Sequence, residues 1–592
     1  MSTYAAAKPG RLRQIITGPY HDEETIQRRR WEILGVLVIC LLVVVLDTTI
    51  LNVALRTIQE SLNASQSQMQ WAVDSYALVF AGLLITWGVL GDRFGRKNVL
   101  LFGMVTFGAT SALCSFAQNS NELILFRALM GIGAAAVQPQ TLSIITNVFE
   151  PKERGKAIGI WAAGSGIAIA LGPIAGGALL KYFWWGSVFL VNVPIVIIGA
   201  IAIYFLVPDS KDPSPSKVDV GGVLLSIVAL VLLVYGIIEG GNSNNWVAID
   251  SLGAIVAGIL LMAIFVVVQK RSKNPAIDVT LFANRQFSAG GAAIGLTFFA
   301  LMGSTFYLAY FLQAVRGYTA LAAGFALVAV AAAVMIFSPL AARLAARFGP
   351  GPVAGTGLFL VGAAMGSYTF IGAGTPQWII EVLMFAQGAG MGLTMGPSTN
   401  AIMNAVPREK AGAGSAVNNT VRQVAGALGV AILGSILAVI YRGQLGSSSP
   451  TTLASQLDQP AAVVRQLPAG AQVSPLVRKD TSESIGSSLD FAGKAGAALT
   501  ARGKSAAAAR LTPSQVARAK AADSMLVGRF VQSSKDSFVT AMHWTSLVAG
   551  FFAWIGAAVA FAFLPRRRRA ETGVPEPGER ENRFSVDALT AH

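Results

Sequence analysis

Charge is scarce in this 592-residue chain: Asp, Glu, Lys and Arg together make up 13% of it, against about a quarter in soluble globular proteins. With 54% hydrophobic residues and a mean hydropathy of +0.58, that shortfall excludes an ordinary soluble enzyme and a disordered chain. Histidine is nearly missing. Only His21, His543 and His592 occur, and no His/Cys/Asp cluster has the spacing of a metal site. Cysteine is limited to Cys40 and Cys114, both inside apolar runs, so a disulfide scaffold is excluded. There is no Gly-x-x-x-x-Gly-Lys-Ser/Thr phosphate loop. Neither ATP hydrolysis nor any enzyme activity, metal or cofactor is therefore expected. The net charge of +15 would suggest nucleic acid in a soluble protein. In a membrane protein basic residues gather on cytoplasmic loops, and no nucleic-acid partner is expected.

Long apolar runs are what the chain has instead. A bilayer-spanning helix needs about 20 apolar residues. Runs of that kind lie at about 32–54, 71–91, 99–117, 122–147, 156–180, 185–207 and 218–238. Others lie at about 250–269, 286–313, 319–343, 350–371, 377–403, 416–441 and 541–564, roughly fourteen in all. Barrel strands are shorter and alternate polar with apolar residues, so the runs predict helices. Abundant Gly (62) and Pro (24) suit membrane helices that approach closely. The first run is too long for a signal-peptide core and lacks a small-residue cleavage site.

Basic residues sort by loop. Arg93, Arg96 and Lys97, then Lys152, Arg154 and Lys156, then Lys270, Arg271 and Lys273 follow even-numbered runs. So do Arg343 with Arg347, Arg408 with Lys410, and Arg566 to Arg569. Both termini are expected in the cytoplasm. The exception is 442–540, Ala/Ser/Gln-rich and basic but without an apolar run, expected outside the membrane as a solvated spacer or as a lid or partner contact. Within it Thr512-Pro513 reads as a helix N-cap with Pro at the first helical position, opening a helix through Val516, Leu526 and Phe530 toward the final span.

A local pattern recurs. Leu90-Gly91-Asp92-Arg93-Phe94-Gly95 follows the second run, and Leu344-Ala345-Ala346-Arg347-Phe348-Gly349 follows the tenth. Two related halves are a transporter signature, because alternating access rocks one repeat against the other around a central site.

Ionisable residues inside apolar runs carry the chemistry. Asp47 lies in the first run and Asp74 in the second. A charged Asp at a helix centre costs about 2.5–3.5 kcal/mol on insertion scales, so such residues are expected to face a wet cavity. Asp47 is expected to couple protons or to make a structural bond to a neighbouring helix. Asp74, near an outer helix end, is expected to take part in coupling or cation binding, or to be an interfacial carboxylate reached by water. Arg127, in the fourth run, needs a partner or a wet cavity, Asp47 or Asp74 being the candidates; otherwise it snorkels past Glu122 to the membrane edge.

Gly88-Val89-Leu90-Gly91-Asp92-Arg93-Phe94-Gly95-Arg96-Lys97 resembles the signature loop of the major facilitator superfamily. Arg127 with Gly131 and Gly133 resembles its fourth-helix motif, and Gly172-Pro173-Ile174-Ala175-Gly176-Gly177 its antiporter motif. The first-helix stretch Leu46 to Leu55 looks like that of fourteen-helix drug:proton antiporters. Phe183 to Pro194 looks like the quaternary-ammonium-compound exporter branch. The resemblance implies an all-α polytopic membrane protein: two six-helix bundles plus two inserted central helices, fourteen transmembrane helices. The expected division is an N-terminal tail (1–31), an N-terminal bundle (32–207), two linker helices (208–285), and a C-terminal bundle (286–441 and 541–564). The loop 442–540 and the tail 565–592 complete it.

The resemblance further implies that Asp92 caps a helix end and pairs with basic residues across the halves, latching the outward-facing state, with Arg93 and Arg96 completing the latch. Gly88 and Gly95 shape the turn, and Gly172, Pro173, Gly176 and Gly177 bend and pack the fifth helix. Asp47, Asp74 and Arg127 are the proton-coupling candidates. The chain departs from the pattern at Arg56, where Pro is usual, at Ala168, where Gly is usual, and at Asn418 to Gln423, where some relatives carry acids. Trp71, Tyr76, Trp161, Phe306, Tyr307 and Tyr310 are aromatic candidates for stacking a planar cation. Gln387, Met391, Asn400 and Asn419 are polar or pliable candidates beside them; Asn418, Asn419 and Arg422 read equally as cavity lining or helix–helix glue.

The implied function is proton-coupled multidrug efflux across the bacterial cytoplasmic membrane by a multi-pass monomer. Small-molecule drugs or lipophilic cations are the cargo and membrane lipids the surroundings. Export of an endogenous lipid, antibiotic or siderophore on the same scaffold is the alternative.

Overall fold

The computed structural model describes residues 22–211, 219–272, 275, 279–406, 411–445, 488, 489, 492, 495 and 513–566. The basic residues Lys273, Arg408, Lys410 and Arg567 to Arg569, and most of the long loop and both tails, lie outside the described residues. Among the described residues there is helix and no strand.

The first six helices are α1 (Glu23–Leu62), α2 (Gln66–Phe94), α3 (Arg96–Ser115), α4 (Ser120–Val148), α5 (Pro151–Tyr182) and α6 (Asn192–Leu206). The next two are α7 (Val220–Ser243) and α8 (Ala254–Arg271). Then come α9 (Arg285–Tyr310), α10 (Ala320–Phe348), α11 (Pro350–Ser367), α12 (Gln377–Asn404), α13 (Ala411–Leu445) and α14 (Pro513–Phe563). Among the described residues 12 helices are long and apolar enough to cross a bilayer, or 13 if α2, bent by 50° between Leu84 and Thr86, is one span. The expected fourteenth, α5, has 32 residues but is not in that set, and many of its side chains lie outside the described residues.

Helix starts follow local chemistry. Asp22 accepts a hydrogen bond from Thr25 N, so α1 begins before the apolar run and carries its basic first turns with it. Arg30 then reaches Glu153 of α5 at 2.9 Å. Ser65 and Gln68 form a reciprocal capping box at α2, satisfying donors that the first helical turn leaves unpaired. Helix α14 starts at Pro513, as the Thr-Pro signal predicts, and runs for 51 residues. That is about 76 Å at 1.5 Å per residue, against a hydrocarbon core of about 30 Å. The helix therefore projects well beyond the membrane. Ser488, Ala492 and Ala495 of the long loop are buried, and the two alanines join the apolar cluster that holds Tyr441, Phe530 and Phe538. These loop residues are packed rather than a solvated spacer.

α1 to α6 pack among themselves, as do α9 to α14, and the two sets meet through α5 against α10, α2 against α13 and α1 against α9. The hairpin α7–α8 sits outside the α2–α13 seam, touching both halves. Ser435 Oγ donates to Ile237 O at 3.1 Å, and a Cβ on Gly82 would lie 2.3 Å from Ile227. α8 turns Ile259, Leu260 and Ile264 outward, an apolar face suited to lipid.

The sequence echo is a structural one. Gly95 has φ 104° and Gly349 φ 91°, and each donates its N–H at 2.9 Å to the carbonyl four residues back, Gly91 and Ala345. Arg93 lies 5.7 Å from the Phe94 ring centroid and Arg347 5.3 Å from that of Phe348. Each glycine turns the chain sharply from one span into the next, a backbone region that side chains adopt only at a cost. Gly95→Ala or Gly349→Ala is expected to cost about 1–2 kcal/mol and lower the melting temperature of the purified protein. Gly443→Ala, inside a helix with open space around it, should leave it unchanged or raised.

Candidate functional site

The most charged place in the membrane-spanning part is an ion pair. Arg127 Nη1 of α4 donates to Asp47 Oδ2 of α1 at 2.5 Å, and each side chain is only 1% exposed. Arg127 Nε donates to Ala72 O of α2 at 3.1 Å. The guanidinium carbon lies 4.3 Å from the Tyr76 ring centroid and 5.9 Å from that of Phe189. The other carboxylate oxygen, Oδ1, accepts from Asn192 Nδ2 of α6 at 3.0 Å. Asn192 also donates to Ser111 Oγ of α3 at 3.1 Å, whose hydroxyl donates to Phe189 O at 2.8 Å.

Glycine lets these helices approach. A Cβ on Gly131 would lie 2.7 Å from Tyr76 O, and one on Gly133 2.6 Å from Phe107 N. Side chains there would push α4 off α2 and α3 and carry Arg127 away from Ala72. Of the two acids open as partners to Arg127, the structure selects Asp47. Arg127 does not snorkel.

Asp74 stands apart. It is fully buried, and neither carboxylate oxygen has a hydrogen-bond partner. It shares a face of α2 with Gln70, four residues earlier, whose amide donates to Val430 O of α13 at 3.5 Å. Asn192, Ser111 and Phe189 are functional neighbours that carried no role in the sequence. An Asn just before Pro194 in an apolar run was the available signal.

In this conformation the signature loop makes its ion pair and its tie to α6 within the first half. Asp92 Oδ1 accepts from Arg96 Nε at 2.9 Å and from Arg96 Nη2 at 2.7 Å. Its partner lies within the motif, because the turn at Gly95 brings the first residue of α3 back to the last turn of α2. Arg93 is exposed over Phe94. Buried Lys97 donates to Tyr204 O at 2.8 Å, tying the loop to α6. A Cβ on Gly91 would collide with Gln140 at 2.0 Å, whereas one on Gly88 would meet Pro139 only at 3.9 Å. Gly88 is thus not sterically required.

The halves touch at the end of the bundle that carries the α1–α2 turn. Arg56 Nη1 donates to Gln313 O, Gln313 Nε2 to Val53 O at 3.0 Å, and Gln70 reaches Val430 near the same end. A Cβ on Gly177 would lie 2.4 Å from Leu321 Cα, and one on Gly324 2.2 Å from Pro173 O. Gly172 and Gly176 instead admit Thr49 and Ile50 of α1. The fifth-helix motif thus packs on α1 with one set of glycines and on the opposite half with Gly177 and Pro173.

The aromatic candidates do not form one open pocket in this conformation. Tyr76, Phe306, Tyr307, Tyr310, Gln387 and Met391 are buried. Tyr76 faces Arg127. Tyr307 shares a 2.8 Å hydrogen bond with Ser546 of α14, and Phe306 lies 5.6 Å from Tyr310 between ring centroids. Gln387 donates to Ser304 at 2.8 Å and accepts from Tyr368 at 2.7 Å. These contacts brace the second half internally. Trp71 faces Tyr235 of the linker helix α7, at 6.5 Å between centroids, rather than the other candidates. Trp161 donates to Thr141 at 3.2 Å, Asn400 is exposed and Asn419 half-buried.

Two outcomes follow. Asp47→Leu or Arg127→Met alone leaves a buried charge without its partner, with a stability loss of about 3–5 kcal/mol; the double substitution should recover most of it, read by thermal unfolding in detergent. Gly324→Leu should hold the halves apart at the α1–α2 end. A cysteine placed at Asn52 should then label with a membrane-impermeant maleimide faster than in the Gly324 parent.

The Major Facilitator Superfamily description matches residues 37–430. The chain is 35% identical to the multidrug efflux pump LfrA of Mycolicibacterium smegmatis over 74% of its own length and 88% of that protein's. It is 34% identical to the methyl viologen resistance protein SmvA of Salmonella typhimurium, over 78% of its own length and 89% of that protein's. A solved bacterial homologue of the human lysosomal transporter Spinster, in an inward-facing, occupied conformation, has the same fold with a TM-score of 0.54. That likeness covers 91% of this chain and 99% of the other at 16% identity. With its helical halves joined by a linker hairpin, its matching signature loop and these relatives, the chain belongs to the Major Facilitator Superfamily.

Proposed function

We propose that this protein exports lipophilic, chiefly cationic small molecules across the bacterial cytoplasmic membrane in exchange for protons. The observation that carries the reading is the buried Asp47–Arg127 pair, set at the meeting of four helices of the half that must move. Relatives named as a multidrug efflux pump and a methyl viologen resistance protein support the cargo class. The basic loops support a topology with both termini in the cytoplasm. The end where the halves touch is then the outer face, and the conformation is closed to the outside.

The geometry suggests how coupling works. As a pair, Asp47 and Arg127 are neutral and satisfied. A proton on Asp47 would leave the Arg127 cation with Ala72 O and the Tyr76 and Phe189 rings but no counter-charge, an arrangement that dry surroundings penalise. Protonation therefore favours separation of α1 from α4. A bound cation near the carboxylates Asp47 and Asp74 competes with that proton, which gives exchange rather than cotransport. Asp74, buried without a partner, is the second acid able to take part. A potential of about 100 mV contributes roughly 2.3 kcal/mol per proton carried inward, enough to bias such a competition about fiftyfold. The cytoplasmic signature loop, with Gly95 at its turn and Arg93, Asp92 and Arg96 beside it, would re-form contacts with the second half when that end closes.

The test uses purified protein in liposomes with an imposed pH gradient and a fluorescent lipophilic cation. The parent should accumulate the cation against its gradient and Asp47→Asn should not. Unchanged transport by Asp47→Asn moves the coupling role to Asp74, and a parent that moves no cation sinks the drug-export reading.

A further inference from the structure

The two halves treat their intramembrane arginines differently. Arg127 is neutralised. Arg422 of α13, inside a membrane-spanning segment, is not. Its Nη2 donates to the Thr399 hydroxyl of α12 at 3.0 Å, its guanidinium carbon lies 5.4 Å from the Phe298 ring centroid of α9, and its Nε has no hydrogen-bond partner. Among the described residues no carboxylate pairs with it. From 285 to 445 the sequence holds only Glu381 and Glu409 as acids. Glu381 belongs to the first turns of α12, about 27 Å of helix from Thr399 at 1.5 Å per residue. Glu409 lies outside the described residues.

A second observation points the same way. Asn418, one helical turn before Arg422 on the same face, is 5% exposed, and its amide oxygen as placed has no partner. Turned over, that amide offers N–H donors beside the guanidinium. A hydroxyl, an aromatic face and an amide are all neutral, so the positive charge stays uncompensated. Intramembrane cations of this kind face a cavity or bundle interior and mark ligand paths. Thr399 and Asn400 mark its open side: Thr399 is half-buried and Asn400 exposed.

We infer that Arg422, Asn418 and Thr399, with Phe298 as an aromatic wall, form a binding site for an acidic group, a carboxylate or phosphate, carried by an aromatic or amphipathic molecule. The free Nε and the second face of the guanidinium supply charge-assisted donors, and Phe298 takes the apolar part. With the acids Asp47 and Asp74 in the first half and a lone cation in the second, the protein is suited to zwitterionic cargo as well as cations. This extends the exporter reading and rests on it for the word cargo; the binding itself does not.

The experiment uses full-length protein in nanodiscs of net-neutral phosphatidylcholine, with 1-pyrenebutyrate and its methyl ester as probes in equilibrium dialysis. The two differ only in the negative charge. The parent should bind the acid about tenfold or more tighter than the ester, the range that charge-assisted hydrogen bonds supply. Arg422→Gln should bind both alike, and Arg422→Lys should keep part of the preference. The ester, bound by parent and variant equally, reports that the variant is folded. Equal binding of acid and ester by the parent, or an undiminished preference in Arg422→Gln, overturns the site. In nanodiscs containing phosphatidylglycerol, loss of the preference identifies a lipid phosphate as the occupant, and its persistence identifies a soluble acid; both support the site. No pH gradient is applied, so a failure of cation transport in liposomes leaves this result standing and removes only the exporter reading.

Discussion

Inside a bilayer no water is at hand to compensate a charge, and the first half is arranged around that constraint. Asp47 and Arg127 cancel one another, and the remaining donors and acceptors are met by Ala72 O, Asn192 and the Tyr76 ring. Through these contacts one ion pair fixes α1 against α4, α4 against α2, and, by way of Asn192 and Ser111, α6 and α3 against α1. The glycines at 131 and 133 are the steric condition for that arrangement. A centre that is stable only as a pair is also a centre whose protonation has consequences, because neither member is comfortable alone.

The second half holds together by other means. Tyr307 with Ser546, Gln387 with Ser304 and Tyr368 with Gln387 are neutral hydrogen bonds. Arg422, inside a membrane-spanning segment, meets a hydroxyl and an aromatic ring, with no carboxylate paired to it among the described residues. Between the halves the hydrogen bonds at Arg56, Gln313 and Gln70 are accepted by backbone carbonyls, and the helix crossings use Gly177 and Gly324. Such contacts part without stranding an ion. Rigid halves and a low-cost interface are what rocking requires. The linker hairpin α7–α8 is seated on the α2–α13 seam.

Much of this was legible in the chain. Fourteen apolar runs correspond to α1 to α14, Thr512-Pro513 opens a helix, and the Asp92/Ala346 echo recurs as matched turns at Gly95 and Gly349. Run length, caps and positive-φ glycines are local properties, and local chemistry fixes them. That Asp47 and Arg127 sit in apolar runs already demanded a partner or water for each, and the family motifs pointed to the same residues.

The partners were not legible. Whether Arg127 would meet Asp47 or Asp74, and which aromatics would face one another, depend on how helices far apart in sequence are rotated and crossed. Trp71 and Tyr76 are one turn and a half apart on α2, yet one meets the linker helix and the other meets Arg127. The sequence by itself determined that the chain is a bundle of membrane helices carrying a few costly charges, because hydropathy and length depend on composition alone. Only the tertiary structure decided which charges are neutralised and which is left open, because side chains are paired by the packing of glycine-lined helix faces across the bundle.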